Sequence, residues 1–382
     1  MRFFLSLFIL LLYKTYQNNT ILSTQYNSFK GIYRIFLQPE GHNVIQNIEF
    51  NLNRNFTWFK NHFPSTPGIF DQCVRAVEIP IQDFKSITIS GVVCEKKTLI
   101  DGLNITLNQF TFYLPLNNHF EGMSCAMGFA SSFIDENYSI IHTLYQQKNI
   151  SSLKIGFAPN RTNTCTSGNV YFGDFPQSIK EQTYKGSCSI KEKIIQWSCE
   201  VSMISIGQFK YHITNFSFFN TNTREIFIPI KLLDEIKQTF FKKYLKANKC
   251  VQFFSSNEII YLNCNKTIVQ DIGKNEKISF QIENNLYTVP LIEFFDCNLY
   301  TCDFLIMHNN NIDNSILIGT KFIDQFDTLF DYENKTISFF SSNYKIKNIK
   351  DIDVQKSIMV FLSFILSITS ISIKLSQIYL NS

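Results

Sequence analysis

From about residue 30 to residue 343 the chain is a succession of short β-branched and aromatic runs, each closed by Asn, Gly, Asp or Ser. Stretches 31–37, 47–52, 86–93, 105–113, 153–157 and 170–172 read as strands in the first half. Stretches 197–206, 216–219, 258–262, 278–282, 316–318 and 336–340 do so in the second. Helical periodicity is confined to 139–147 and 229–245. The latter starts with Pro229 and sets Ile230, Leu232, Leu233, Ile236, Phe240 and Tyr244 mostly on one face. Many strands with few helices predict an all-β fold rather than an alternating α/β one. With 382 residues, 45% of them apolar, the chain is long enough for two lobes with sizeable cores.

The ends point to the secretory route. Arg2 followed by the apolar run Phe3 to Tyr13 predicts a signal peptide over 1–17. A second apolar stretch, 357–373, follows a polar spacer, 344–356. It reads either as a transmembrane anchor or as a glycolipid-anchor signal with Ser341, Ser342 and Asn343 as its small residues. Either reading makes a membrane a partner through the C-terminus and leaves the bulk extracellular or lumenal. Ten cysteines, an even number without CxxC spacing, predict disulfides. Nine Asn-x-Ser/Thr sequons, Asn55 among them, fit a glycoprotein.

Several chemistries are disfavoured. A net charge of +4 with no basic run interleaved with aromatics argues against nucleic acid. Six scattered histidines lack metal-ligand spacing, and there is neither a GxSxG nor a phosphate-binding Gly loop, so neither metal nor cofactor is expected. What remains is a weak duplication. Ile48–Phe59 and Phe216–Phe227 each run an apolar strand into an Asn-x-Asn turn. Asn51 and Asn220 stand 169 positions apart (220 − 51), a domain-scale interval that fits two similar lobes each giving one turn to a shared cleft.

The segment Ser315–Phe340 resembles the closing segment of pepsin-like aspartic peptidases. Ile318-Gly319, Phe322-Ile323 and Phe330-Asp331 match that pattern, while Thr320 replaces its usual Asp. Tyr138–Asn160, Ser167–Pro176 and Trp197 follow the same family in order. The resemblance implies a bilobal pepsin-like fold, with lobes over 30–178 and 185–343. It also implies a second-lobe disulfide from Cys264 to Cys297 or Cys302.

In that family two aspartates, each in an Asp-Thr/Ser-Gly turn, share a proton and activate water. The corresponding turns here are Phe50-Asn51-Leu52-Asn53 and Phe219-Asn220-Thr221-Asn222. Both acids and both glycines are Asn, a residue that tolerates positive φ. A carboxamide is no general base. Glu49 shares a strand face with Asn51, but the second turn offers no matching acid. The matching flap region, starting at Phe84, lacks the family's Tyr. The resemblance therefore implies a non-catalytic protein that binds a peptide or protein ligand in its cleft. The alternative is an active aspartic endopeptidase with divergent turns.

Overall fold

The computed structural model describes residues 21–29, 32–39, 46–52, 73–82, 86–100, 105–115, 126–128, 139–160, 167–190, 196–255, 258–310 and 315–341. The stretches read as signal peptide, spacer and anchor lie outside them, as do Asn53 and Phe84. Among the described residues no helix is long and apolar enough to cross a membrane.

The first lobe is built from β1 (Leu22–Phe29), β2 (Ile32–Pro39), β3 (Gln46–Asn51), β4 (Cys73–Gln82), β5 (Ser86–Ile100), β6 (Ile105–Pro115), β7 (Ala126–Gly128), α1 (Ile140–Gln146), β8 (Lys154–Asn160), β9 (Ser167–Phe172) and α2 (Gln177–Lys180). β10 (Tyr184–Ser189) leads into the second lobe. There follow β11 (Ser198–Ile206), β12 (Phe209–Phe219), β13 (Ile226–Phe227), α3 (Ile230–Thr239), α4 (Lys242–Lys246), β14 (Cys250–Phe254), β15 (Ile259–Asn265) and α5 (Lys266–Asn275). The lobe closes with β16 (Lys277–Ile282), β17 (Asn285–Pro290), β18 (Phe295–Cys297), β19 (Thr301–Phe304), β20 (Ile306–Asn309), β21 (Ile316–Ile318), α6 (Thr320–Ile323), β22 (Phe326–Asp331) and β23 (Thr336–Ser341). The fold is mostly β and bilobal.

One antiparallel run of strands, in the order β10-β23-β22-β8-β9-β1, joins the lobes. Exchanging β8 with β22, β9 with β23 and β1 with β10 maps this order onto itself. The seam is thus the β8–β22 pair, where Phe157 stands opposite Thr328 and Ile155 opposite Phe330. Aromatic side chains fill it. Phe330 meets Phe157 at 6.0 Å and Trp197 at 5.1 Å between ring centroids, both edge to face. Phe157 in turn meets Phe50 at 5.4 Å, and Phe330 meets Phe219 at 6.5 Å. All five rings are fully buried. Edge-to-face pairs add roughly 0.5–1.5 kcal/mol each beyond the area they bury.

Polar contacts reinforce the seam. Lys154 Nζ on β8 lies 3.2 Å from Asp331 Oδ2 on β22 and 3.8 Å from Asp174. Burial lowers its pKa, but Asp174, Asp331 and Glu333 outweigh this and hold the ammonium above its ordinary value.

The sequence reading expects one helix over 229–245. Two form, because the chain breaks at Phe240-Phe241. Both rings are buried and meet edge to face at 5.0 Å. Neighbours on a straight helix point about 100° apart, so the break lets both reach the core.

The disulfide pairing also differs from the one the resemblance implies. Cys264 bonds Cys250, and Cys297 bonds Cys302. Cys264 and Cys302 do stand opposite each other across β15 and β19. Register nevertheless sets Cys250 against Cys264 and Cys297 against Cys302 as well, so each is bonded to its other neighbour. A third bridge, Cys188–Cys199, ties β10 to β11. Cys73 and Cys94 occupy opposed positions of β4 and β5.

Candidate functional site

Each lobe repeats one local arrangement. In the first, β3 runs parallel to β7, pairing Phe50 with Met127 and Asn51 with Gly128. In the second, β12 runs parallel to β21, pairing Phe218 with Leu317 and Phe219 with Ile318. The next residue, Asn220, continues the pairing by donating its N–H to Ile318 O at 2.9 Å. Phe50 and Phe219 point into the core, which pins both turns at the seam.

The second turn is closed by its own side chains. Asn220 Oδ1 accepts from Asn222 N at 2.7 Å, an Asx turn. The amide oxygen is thereby committed to the backbone. Asn222 Oδ1 is buried without a hydrogen-bond partner among the described residues. Gly319 makes room for the loop behind it: a Cβ there would stand 2.2 Å from Glu225 O and 2.7 Å from Thr223 O. The start of α6 then clamps that loop, with Thr320 N donating to Thr223 O at 2.8 Å and Lys321 N to Arg224 O at 3.1 Å.

Thr221 brings the two turns together. It is fully buried, its Oγ1 donates to Phe50 O at 2.6 Å, and it accepts from Leu52 N at 3.3 Å. These bonds cross 171 and 169 positions of sequence. Leu52, at the matching place in the first turn, is equally buried but has no hydroxyl to return the pair. Of the residues singled out from the sequence, Asn51, Leu52, Asn220, Thr221 and Asn222 are thus gathered at the backbone level; Asn53 and Phe84 lie outside the described residues.

A small buried apolar cluster follows the strand that carries Asn220, and the sequence reading does not contain it. Phe218 lies two positions before Asn220 and so lies on its side of the chain. Register carries the row from Phe218 to Leu317, then Phe227, then Met307. Leu317, Phe227 and Met307 form one buried cluster with Leu305, packed against by Phe218, Ile259 and Tyr261. Its only sequence signal is apolar residues at alternate positions of very short strands. Strand order alone makes them neighbours. Among the described residues no group of His, Cys, Asp and Glu is placed to hold a metal ion.

A bilobal β fold with two turns joined across its seam defines a class that comparison with known proteins identifies. The family model described as eukaryotic aspartyl protease matches residues 79–342, and the chain belongs to that family. The second turn falls inside the match and the first precedes it. Among solved structures, the aspartic proteinase from Irpex lacteus is similar at a TM-score of 0.63. The two share 12% identity over 85% of this chain and 98% of that one, a likeness of fold. No curated protein matches. The disulfides and the family together fit a secretory or lumenal protein.

Proposed function

We propose that this chain is a non-catalytic member of the family that holds a peptide or protein segment between its lobes, with Asn51 and Asn220 at the places of the two catalytic aspartates. One observation carries the reading. The Thr221 hydroxyl ties the two turns together, although neither turn contains an acid. The framework is kept and the proton donor and acceptor are not. Asn220 Oδ1 already serves a backbone N–H, so it has no second role as a base.

Lobes over 30–178 and 185–343, the first extended by β1 and the end of α2, a removed signal peptide over 1–17, sequon glycans and a membrane anchor over 357–373 complete the proposal. They rest on the sequence patterns given above. The test is incubation of the purified chain with an unfolded protein between about pH 3 and about pH 7. No cleavage is expected. Acid-dependent cleavage blocked by a statine-type inhibitor would instead establish the alternative, an active endopeptidase with divergent turns.

A further inference from the structure

Cys250, Cys264, Cys302 and Cys297 stand directly opposite one another across β14, β15, β19 and β18. Directly opposed positions of antiparallel strands project from one face of the sheet, with Cβ atoms about 4.5–5.5 Å apart. The four sulfurs therefore form one row. The outer pairs are bonded, Cys250 to Cys264 and Cys297 to Cys302. The central pair, Cys264 and Cys302, is opposed in the same way but each member is bonded outward. A disulfide needs Cβ atoms about 3.5–4.5 Å apart, so a shift of about 1 Å between β15 and β19 brings the central pair into range. The row thus admits a second pairing.

Access to the row comes from one end. Cys250, Cys264 and Cys302 are buried, whereas Cys297 is only half-buried. Beside it the hairpin tip stands in solvent, with Leu299 75% and Tyr300 78% exposed. A thiolate arriving from solvent therefore meets Cys297 first. Attack there expels Cys302 as a thiolate, which is enclosed next to Cys264. From Cys302, the Cys264–Cys250 bond lies along the row, the in-line direction for displacement. We propose that the row is a thiol relay: a small thiol taken up at Cys297 moves the buried bridge and leaves Cys250 as the free cysteine. In the first exchange the incoming sulfur bonds Cys297 Sγ, the Cys297–Cys302 bond breaks, and its electron pair leaves on Cys302 Sγ. In the second, Cys302 Sγ bonds Cys264 Sγ, the Cys264–Cys250 bond breaks, and its electron pair leaves on Cys250 Sγ. The proton given up by the incoming thiol ends on Cys250. One thiol is consumed and one produced, with two disulfides before and after, so neither oxidant nor reductant is required. The covalent tie passes from β14–β15 to β15–β19. A secretory or lumenal chain meets thiols and disulfides together, the setting such exchange needs.

The test incubates the full chain with glutathione, a monothiol, near the ordinary thiol pKa of about 8.5. Acid then stops exchange by protonating the thiolates. The quenched chain is unfolded and alkylated, and its peptides are mapped by mass spectrometry. Glutathione is expected on Cys297, with a Cys264–Cys302 bridge and an alkylated Cys250 rising in step. The Cys188–Cys199 bridge, whose cysteines are both buried, should stay closed. Cys302→Ser removes the relaying sulfur, so alkylation of Cys250 should fall at least about tenfold. Glutathione on Cys297 with an alkylated Cys302 and an intact Cys250–Cys264 bridge would overturn the proposal, because the reaction then ends at the tip. So would a chain left unmodified, opening of Cys188–Cys199 in step with the row, or undiminished labelling of Cys250 in the variant. The wild-type map decides the matter even if the variant does not fold.

Discussion

Thr221 shows how much one side chain can hold. Its hydroxyl serves two buried backbone groups of the other lobe, and both lose that bond if it is removed. Thr221→Val is therefore expected to cost about 2–4 kcal/mol, whereas Thr221→Ser keeps the oxygen and costs under about 1 kcal/mol. Urea denaturation of the two variants separates these outcomes. Tyr287 makes the opposite case. Its ring is buried among Phe322, Phe326 and Phe339, yet its hydroxyl has no partner among the described residues. Burial, then Tyr184 and Glu283, push its pKa far above the ordinary 10.0. A raised folded pKa gives stability that is complete below about pH 10 and lost as pH rises beyond it. Tyr287→Phe should thus be neutral or stabilise by up to about 1 kcal/mol at neutral pH. It should also flatten part of the alkaline fall in the urea midpoint, and a loss of stability at pH 7 would contradict this account.

At the scale of elements, the β8–β22 seam is both apolar and charged. Lys154 neutralises Asp331, which is only 6% exposed, and lies within reach of Asp174. Lys154→Met would take the charge partner from a buried carboxylate held otherwise, among the described residues, only by Glu333 N, Asn334 N and Asn334 Nδ2, at an expected cost of about 1–3 kcal/mol by thermal or chemical unfolding. Removing the carboxylate too, in a Lys154→Met, Asp331→Leu pair, should deepen that loss, because the Glu333 and Asn334 donors then lose their acceptor. A lysine raised above its ordinary 10.5 contributes stability that is full below that value and declines above it. Lys154 and Tyr287 therefore weaken the fold in the same alkaline window. The helical break at Phe240-Phe241 belongs to this scale as well, since two adjacent rings could both be buried only by ending α3.

At the scale of the whole molecule, the chain of rings Phe50–Phe157–Phe330–Phe219 runs from one turn to the other through the seam. The turns are thus positioned by the core as well as by the Thr221 bonds between them. Replacing both amides, Asn51→Asp with Asn220→Asp, should leave stability near neutral pH largely unchanged and confer measurable cleavage of an unfolded protein at acidic pH. An unchanged rate against an already active wild type would favour the endopeptidase reading. Without titrating groups at those two places, binding of a cleft peptide to the wild-type chain should also vary little between about pH 3 and about pH 7.

Much of the architecture was legible in the chain because it rests on local signals. Alternating apolar runs mark β2, β3, β5, β11, β16 and β23, and Ser139 capping His142 N marks α1. The turns around Asn51 and Asn220 stood out as a repeated motif. The segments that escaped notice include β1, β4, β10, β14, β17 and α5, and some whose reason is distant. β7 and β13 are three and two residues long, and the strand character of both comes from a partner. β22 is buried at every position, so it shows no alternation. Four cysteines in one transverse row defeated the pairing expected from resemblance, because register opposes Cys264 to Cys250 as well as to Cys302. The sequence by itself determined that this chain forms β lobes and that its paired turns carry amides. Only the tertiary structure decided that Thr221 reaches Phe50 and Leu52, because a contact across 169 positions exists only once the seam has closed.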